Sequence, residues 1–252
     1  MKIDESVITK AIIEDFMNVF LEHTEVDVAI AGAGPSGMVA AYYIAKEGAK
    51  VAIFERKLSV GGGMWGGGMM FPRIVIQDEA KHILDDFGIK YRRYKEGYLL
   101  ANSIEVVGKL ASETIAAGAE IFNLISVEDV MIREGKITGV VINWSSVELG
   151  RLHVDPLCVR SNVIIDGTGH DAEICRNFER KMPDLLKVVG EKPMWADVGE
   201  RSILENTKEI YPGLIAVGMA ANAVAGGPRM GPIFGGMMLS GEKASKLALS
   251  KL

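Results

Sequence analysis

A doubly wound α/β fold around a parallel sheet is what this 252-residue sequence predicts, and three features carry the prediction. Residues 26–37, VDVAIAGAGPSG, run an apolar strand into a glycine turn, and MVAAYYIAKEG continues as a helix that Gly48 can end. KVAIFER (50–56) is a second buried strand, completing a β-α-β unit. Later, SNVIIDGTG (161–169) reads as another buried strand closed by glycines, and GLIAVGM (213–219) as a last central strand. The second half of the chain therefore returns to the sheet.

The other elements follow in order. Ile8, Ile12, Phe16, Val19 and Phe20 give residues 4–22 helical spacing. GGGMWGGGMM (61–70) is too glycine-rich for a regular element and reads as a loop whose backbone approaches something closely. DEAKHILDDFG (78–88) is helical in pattern, and 106–123 a helix followed by a strand. SVEDVMIREGKITGVVINW (126–144) predicts a β-hairpin turning near Glu134-Gly135, and 235–251 a closing helix. The expectation is one domain over 1–252. Its dinucleotide-binding core comes from 26–70, 106–132 and 161–252, and a small β layer is inserted near 71–105 and 133–160.

Composition excludes several classes. A net charge of −5 gives no electrostatic basis for binding nucleic acid or an anionic membrane. Gly213 to Pro228, within the longest uncharged stretch and rich in small residues, falls short of the ~20 residues a membrane helix needs. Cys158 and Cys175 form neither a CxxC pair nor a disulfide framework, so a reducing cytoplasm is expected. MKIDESVITKAIIEDF carries acidic residues where a signal peptide needs an apolar core.

Gly32-Ala33-Gly34-Pro35-Ser36-Gly37 fits G-x-G-x-x-G between a strand and a helix, the context its mechanism requires. The first glycine makes the turn, the second lets a pyrophosphate reach the backbone, and the third brings helix and strand together. Glu55 ends the next strand, 18 residues after Gly37, placed to accept from an adenosine ribose hydroxyl. The plainer alternative is a glycine turn beside a surface glutamate. Arg56 and the 61–68 glycines point to the flavoprotein type of this fold. That type carries a late strand ending Gly-Asp, whereas here Gly218 precedes Met219. A methionine cannot accept the flavin's hydrogen bonds, so the fold is expected without those contacts.

Outside the nucleotide groove the polar candidates are few. His23 and His82 sit on helical patterns and read as structural or solvated. His153, Asp155, His170 and Asp171 lie in turn-like segments flanking a strand. Asp155 and His170, 15 residues apart, offer an imidazole and a carboxylate suited to Fe(II), Mn(II) or Zn(II), with a shell left open to substrate. Alternatively, Asp155 caps a turn before Pro156 and His170 follows a glycine bend. Arg229, in GGPRMGPIFGG (226–236), suits bidentate recognition of a carboxylate or phosphate, or an ordinary surface ion pair. Most of Met64, Met69, Met70, Met237 and Met238 are expected in the core.

Taken together, GAGPSG, ERKLSVGGGMWGGGMMFP, HVDP, DGTGHD and GGPRMGPIFGGMMLSGEKAS resemble the thiamine thiazole synthase family, in that family's order and across nearly the whole chain. The resemblance implies a flavoprotein-type fold that consumes NAD as substrate. Nicotinamide is released, the ADP-ribose unit condenses with glycine, and sulfur is added to give an adenylated thiazole carboxylate. By position, Ser36, Glu55, Arg56 and Gly63 would hold the adenosine diphosphate part, with Val127 and Met219 along the same groove. Arg229 would grip the glycine carboxylate. Asp155 and His170 match the family's Fe(II) ligands, with one potentially supplied by a neighbouring copy in a ring-like homo-octamer.

Fungal and plant members carry a sulfur-donating cysteine where this chain has His153. An imidazole has no sulfur to give, so the resemblance is to the archaeal branch, which takes free sulfide. His153 is then left as a proton shuttle or a nucleotide contact. Neither cysteine occupies the donor position, and both read as structural. The competing readings are an FAD-dependent oxidoreductase of the same fold, a ribose-1,5-bisphosphate isomerase, and a nucleotide-binding sensor without chemistry. Flavin absorbance or nicotinamide release would separate the first of these from the thiazole route.

Overall fold

A computed structural model describes residues 2–252. The chain opens with α1 (Glu5–Glu22), capped by Asp4, whose side chain accepts from the Ser6 N–H. β1 (Glu25–Ala31) leads through the glycine turn into α2 (Pro35–Lys46), with Pro35 where a helix tolerates it, and on to β2 (Val51–Glu55). After a 3₁₀ turn at Gly62–Gly66 come β3 (Arg73–Gln77), α3 (Lys81–Asp86), β4 (Tyr91–Lys95) and β5 (Tyr98–Asn102). α4 (Ser103–Ala116) and β6 (Glu120–Asn123) precede the hairpin of β7 (Ile125–Arg133) and β8 (Lys136–Trp144). Then follow α5 (Ser145–Leu149), β9 (Leu157–Asp166), α6 (Glu173–Lys181) and α7 (Ala196–Asn206). β10 (Lys208–Tyr211), β11 (Leu214–Ala216), α8 (Gly218–Ala225) and α9 (Gly235–Leu249) close the chain.

The main sheet runs β10-β11-β9-β1-β2-β6, parallel from β11 to β6 with β10 antiparallel at one edge. Side chains alternate along β1: Val28 and Ile30 pack into the layer with α2, α4 and α9, while Ala29 and Ala31 face the layer containing α6 and α8. Both faces are covered, which is why β1 and β2 read as continuous apolar runs. β9 is the long element. Its last residues pair with β11, and its first, on the same edge, pair antiparallel with β8.

Three expectations change. The hairpin turns where predicted, between Arg133 and Lys136, with Glu134 and Gly135 both at positive φ, but it belongs to the main sheet. Assigning 133–160 to an inserted layer therefore fails, because β8 zips onto the start of β9, which begins at Leu157 rather than 161. The separate small sheet is β3-β5-β4, antiparallel, over residues 73–102. The segment 213–219 lies inside the sheet as expected, between β10 and β9, but is strand only to Ala216, and Gly218, at φ +60, begins a helix.

Candidate active site

The C-terminal ends of β1, β2, β9 and β11 open into one cleft of about 750 Å³, where ligands bind in folds of this kind. Gly32, Gly34 and Ser36 form one wall, with Glu55 and Arg56 at the end of β2. Gly63, Val127 and Met219 also face the cavity. The three glycines meet different steric surroundings. Gly32 sits at φ +96, and a Cβ there would lie 2.6 Å from the Gly167 carbonyl oxygen. A Cβ on Gly37 would meet the Gly32 carbonyl at 2.3 Å, so this glycine lets the helix close on the turn and lies outside the cleft lining. Gly34 is crowded by nothing nearer than 3.9 Å, leaving its backbone open to a ligand.

Glu55 is buried and already fixes the turn: its Oε2 accepts from the Ala33 N–H at 2.8 Å, and its Oε1 from the Lys57 N–H at 2.9 Å. Each oxygen retains a lone pair for a ribose hydroxyl. Arg56 does not stand free. It pairs with Glu173 and, at 3.5 Å, with Asp171, tying β2 to α6 at the cleft wall. Burial holds the Glu173 carboxyl above its ordinary range, while the Arg56 charge pulls it back. The glycine-rich loop comes close as expected, the Gly61 N–H donating to the Ala33 carbonyl at 2.7 Å.

The polar end of the cleft is carried by His170 and Arg229. Asp166, fully buried, accepts from the Thr168 N–H (3.0 Å), the Thr168 hydroxyl (2.6 Å) and the Cys175 N–H (3.0 Å), fixing the turn that presents His170. His170 Nδ1 lies 2.6 Å from Glu191 Oε1. A carboxylate accepts only, so Nδ1 bears the proton, and in the neutral ring Nε2 keeps its lone pair. The nearest carboxylate to Arg229 is Glu191 Oε2, 3.9 Å from Nε, beyond hydrogen-bond reach. Arg229 is thus a cleft-lining cation with most of its donors available.

His153 and Asp155 are elsewhere. Both are exposed in the loop between α5 and β9, outside the cleft lining of their own chain. Asp155 precedes β9 and His170 follows it, and a ten-residue strand spans about 30 Å. One chain therefore does not bring the pair together, and among the described residues no three His, Cys, Asp or Glu side chains gather as a metal cluster. Of the cysteines, Cys175 is buried, its thiol pushed well above the ordinary range by burial, which fits a structural role. Cys158 is exposed on β9 and is not a packing residue. Met64 and Met238 are core, and Met237 is buried at the cleft wall, whereas Met69 and Met70 are largely exposed. His23 bonds the Val19 carbonyl and His82 the Glu242 carboxylate, both away from the cleft. Glu191 was not singled out from sequence. It lies 21 residues from His170 in an aperiodic stretch, and no local pattern marks it.

Fold and cleft together define a Rossmann-like α/β protein whose glycine-lined groove continues into a site with one imidazole and one guanidinium. The Thi4 family model matches residues 9–234. Thiamine thiazole synthase of Methanococcoides burtonii is 62% identical over 257 aligned positions covering 100% of both chains. That of Pyrococcus furiosus is 55% identical, covering 98% of this chain and 97% of its own. The crystal structure of Thermovibrio ammonificans THI4 superposes with a TM-score of 0.98 at 49% identity, covering 100% of this chain and 99% of that one. The chain belongs to the Thi4 family. No helix among the described residues is long and apolar enough to cross a membrane.

Proposed function

We propose that this chain is an enzyme of thiamine biosynthesis that forms an adenylated thiazole carboxylate from NAD, glycine and free sulfide, with Fe(II) at its site. The observation that carries the reading is the continuity of one cleft from the dinucleotide turn and Glu55 to His170 and Arg229. The nucleotide's pyrophosphate would rest against Gly34 and the start of α2, with its ribose on Glu55. Arg229 would take the glycine carboxylate as a fork, holding the amine toward the sugar carbon left by nicotinamide. Met219 at the wall offers no acceptor to a flavin, which speaks for a nucleotide used as substrate.

The donor set fits Fe(II). His170 is backed by a carboxylate at Nδ1, which in the neutral ring leaves Nε2 for a metal, the arrangement typical of metal-bound histidines. Asp155 of a second copy would supply the other protein ligand, since β9 separates the two within one chain. Exposed apolar side chains flank that loop, Leu149 at 85%, Leu152 at 60% and Leu157 at 65%, as on a face that another copy covers. Bound there, Fe(II) would supply Lewis acidity and a soft site for sulfide. His153 would enter the same neighbouring site as a proton carrier or nucleotide contact. The assembly the resemblance implies, a homo-octamer, is part of this proposal.

Anaerobic incubation with NAD, glycine, Fe(II) and sulfide should yield the adenylated thiazole by mass spectrometry, with several products per chain. No thiazole under these conditions would refute the reading. Product formed without sulfide, with Cys158 converted to dehydroalanine, would overturn the sulfur source alone.

A further inference from the structure

Behind the cleft wall, one carboxylate bonds His170 and stands as the nearest anion to Arg229. Glu191 approaches His170 through Oε1, 2.6 Å from Nδ1, and Arg229 through Oε2, 3.9 Å from Nε. Its side chain is only 15% exposed, against 53% for His170 and 56% for Arg229, and it does not itself line the cleft.

The backbone on either side of Glu191 is held firmly. The Gly190 N–H donates to the Ala223 carbonyl at 2.8 Å, and the Lys192 N–H to the Gly227 carbonyl at 3.0 Å. Arg229 returns the contact, its N–H donating to the Lys192 carbonyl at 3.2 Å, and the Trp195 N–H reaches the Arg229 carbonyl at 2.9 Å. Residues 189–195 are thereby zipped onto the stretch that ends in Arg229. Glu191 and Arg229 share one rigid seat, and His170 leans on it from the turn after β9.

We infer that Glu191 is a positioning residue that couples the metal-holding imidazole to the glycine-holding guanidinium, an assignment that rests on the function proposed above. By accepting from Nδ1–H it fixes the tautomer and the plane of the ring, so that Nε2 is the nitrogen offered to a cation. Its second oxygen restrains Arg229 at a distance too long to consume a donor, leaving the fork for a carboxylate. A divalent cation and a guanidinium at one end of a cleft repel each other. A fixed anion between their holders offsets that repulsion.

The test uses full-length protein, Co(II) as the metal probe read by its visible absorption, and ADP-ribose binding by calorimetry. Glu191→Ala should weaken Co(II) binding roughly 10- to 100-fold. At saturating Fe(II) it should raise the glycine KM about two- to fivefold more than it lowers kcat. ADP-ribose affinity should stay within about twofold, because the nucleotide wall is untouched. Glu191→Gln can still accept from Nδ1–H, so it should keep more Co(II) affinity than the alanine variant while sharing its glycine defect. If Glu191→Ala does not fold, Glu191→Gln decides through the glycine KM. Parent values for both Co(II) affinity and glycine KM would overturn the assignment. His170→Ala separates the two failures. If it binds Co(II) as the parent does, the metal reading falls; if it loses Co(II) while the Glu191 variants do not, only the role of Glu191 falls.

Discussion

At the nucleotide end of the cleft, every group singled out from sequence except Gly37 faces the cavity of a single chain. At the polar end, His170 and Arg229 do so, and His153 and Asp155 do not. Most of the nucleotide end is built from one strand-turn-helix-strand run, residues 26–56, whose parts are neighbours in sequence and in space, with Gly63, Val127 and Met219 added from elsewhere. The polar end draws on groups separated by whole elements, and a ten-residue strand carries Asp155 away from His170. A groove can be completed by local chain geometry. The chemistry beside it depends on how distant segments, and by our proposal separate copies, come together.

The sharpest way to break this comparison is complementation. Asp155→Ala and His170→Ala should each abolish thiazole formation, beyond the roughly 100-fold loss typical for outer partners of a metal. Assembling the two inactive variants together should restore part of the turnover, because some sites then receive His170 from one copy and Asp155 from another. Mixed assemblies with no recovered turnover would defeat the cross-copy arrangement.

Two variants ask whether the ends are separable. Gly34→Val pushes branched carbon into space that the protein leaves open. It should weaken ADP-ribose binding by the 1–3 kcal/mol typical of overpacking, roughly 5- to 150-fold, with the melting temperature nearly unchanged. Arg229→Lys keeps the charge but loses the fork. The expected loss is about 1.5–3 kcal/mol, read as a rise in glycine KM of roughly 10- to 150-fold with ADP-ribose affinity intact. Equal effects of either variant on both ligands would show the two ends to be one cooperative site.

The smallest expected effect concerns the frame. Glu200 on α7 accepts from the Gly236 N–H at 2.7 Å and from the Gln77 amide, anchoring the start of α9 next to Phe234 at the cleft wall. Burial holds its carboxyl above the ordinary carboxylate range. The folded chain therefore binds this proton more tightly than the unfolded one. That stabilisation is complete below the unfolded value and is lost as pH rises through the folded one. Chemical denaturation at pH 7 and pH 5 should show acidification helping the parent protein more than Glu200→Gln. An identical pH response in both would remove Glu200 from the balance.

Much of this was legible because it is local. GAGPSG must turn, since Gly32 needs positive φ and Gly37 has no room for a Cβ. Glu134-Gly135 marks its hairpin for the same kind of reason. The small sheet was harder to read: β4, YRRYK, is almost wholly exposed, so it carries no alternation to detect. No sequence pattern assigns an element to residues 171–212, which hold α6, α7 and β10. α6 buries Ile174, Cys175 and Phe178 at helical spacing, but over nine residues the pattern is too short to read securely against the flanking loops.

By itself, then, the sequence determined the parallel core, the dinucleotide turn and the acid that follows it, because backbone sterics and burial periodicity act over a few residues. It also supplied, through family likeness, the names of the polar residues. Only the tertiary structure decided that one carboxylate bonds His170 and stands 3.9 Å from Arg229, and that Asp155 stands a strand's length away. Those outcomes depend on sheet order, on the register of β9 and on the zipping of 189–195 onto 223–229. All three are long-range pairings, and no local pattern of residues encodes them.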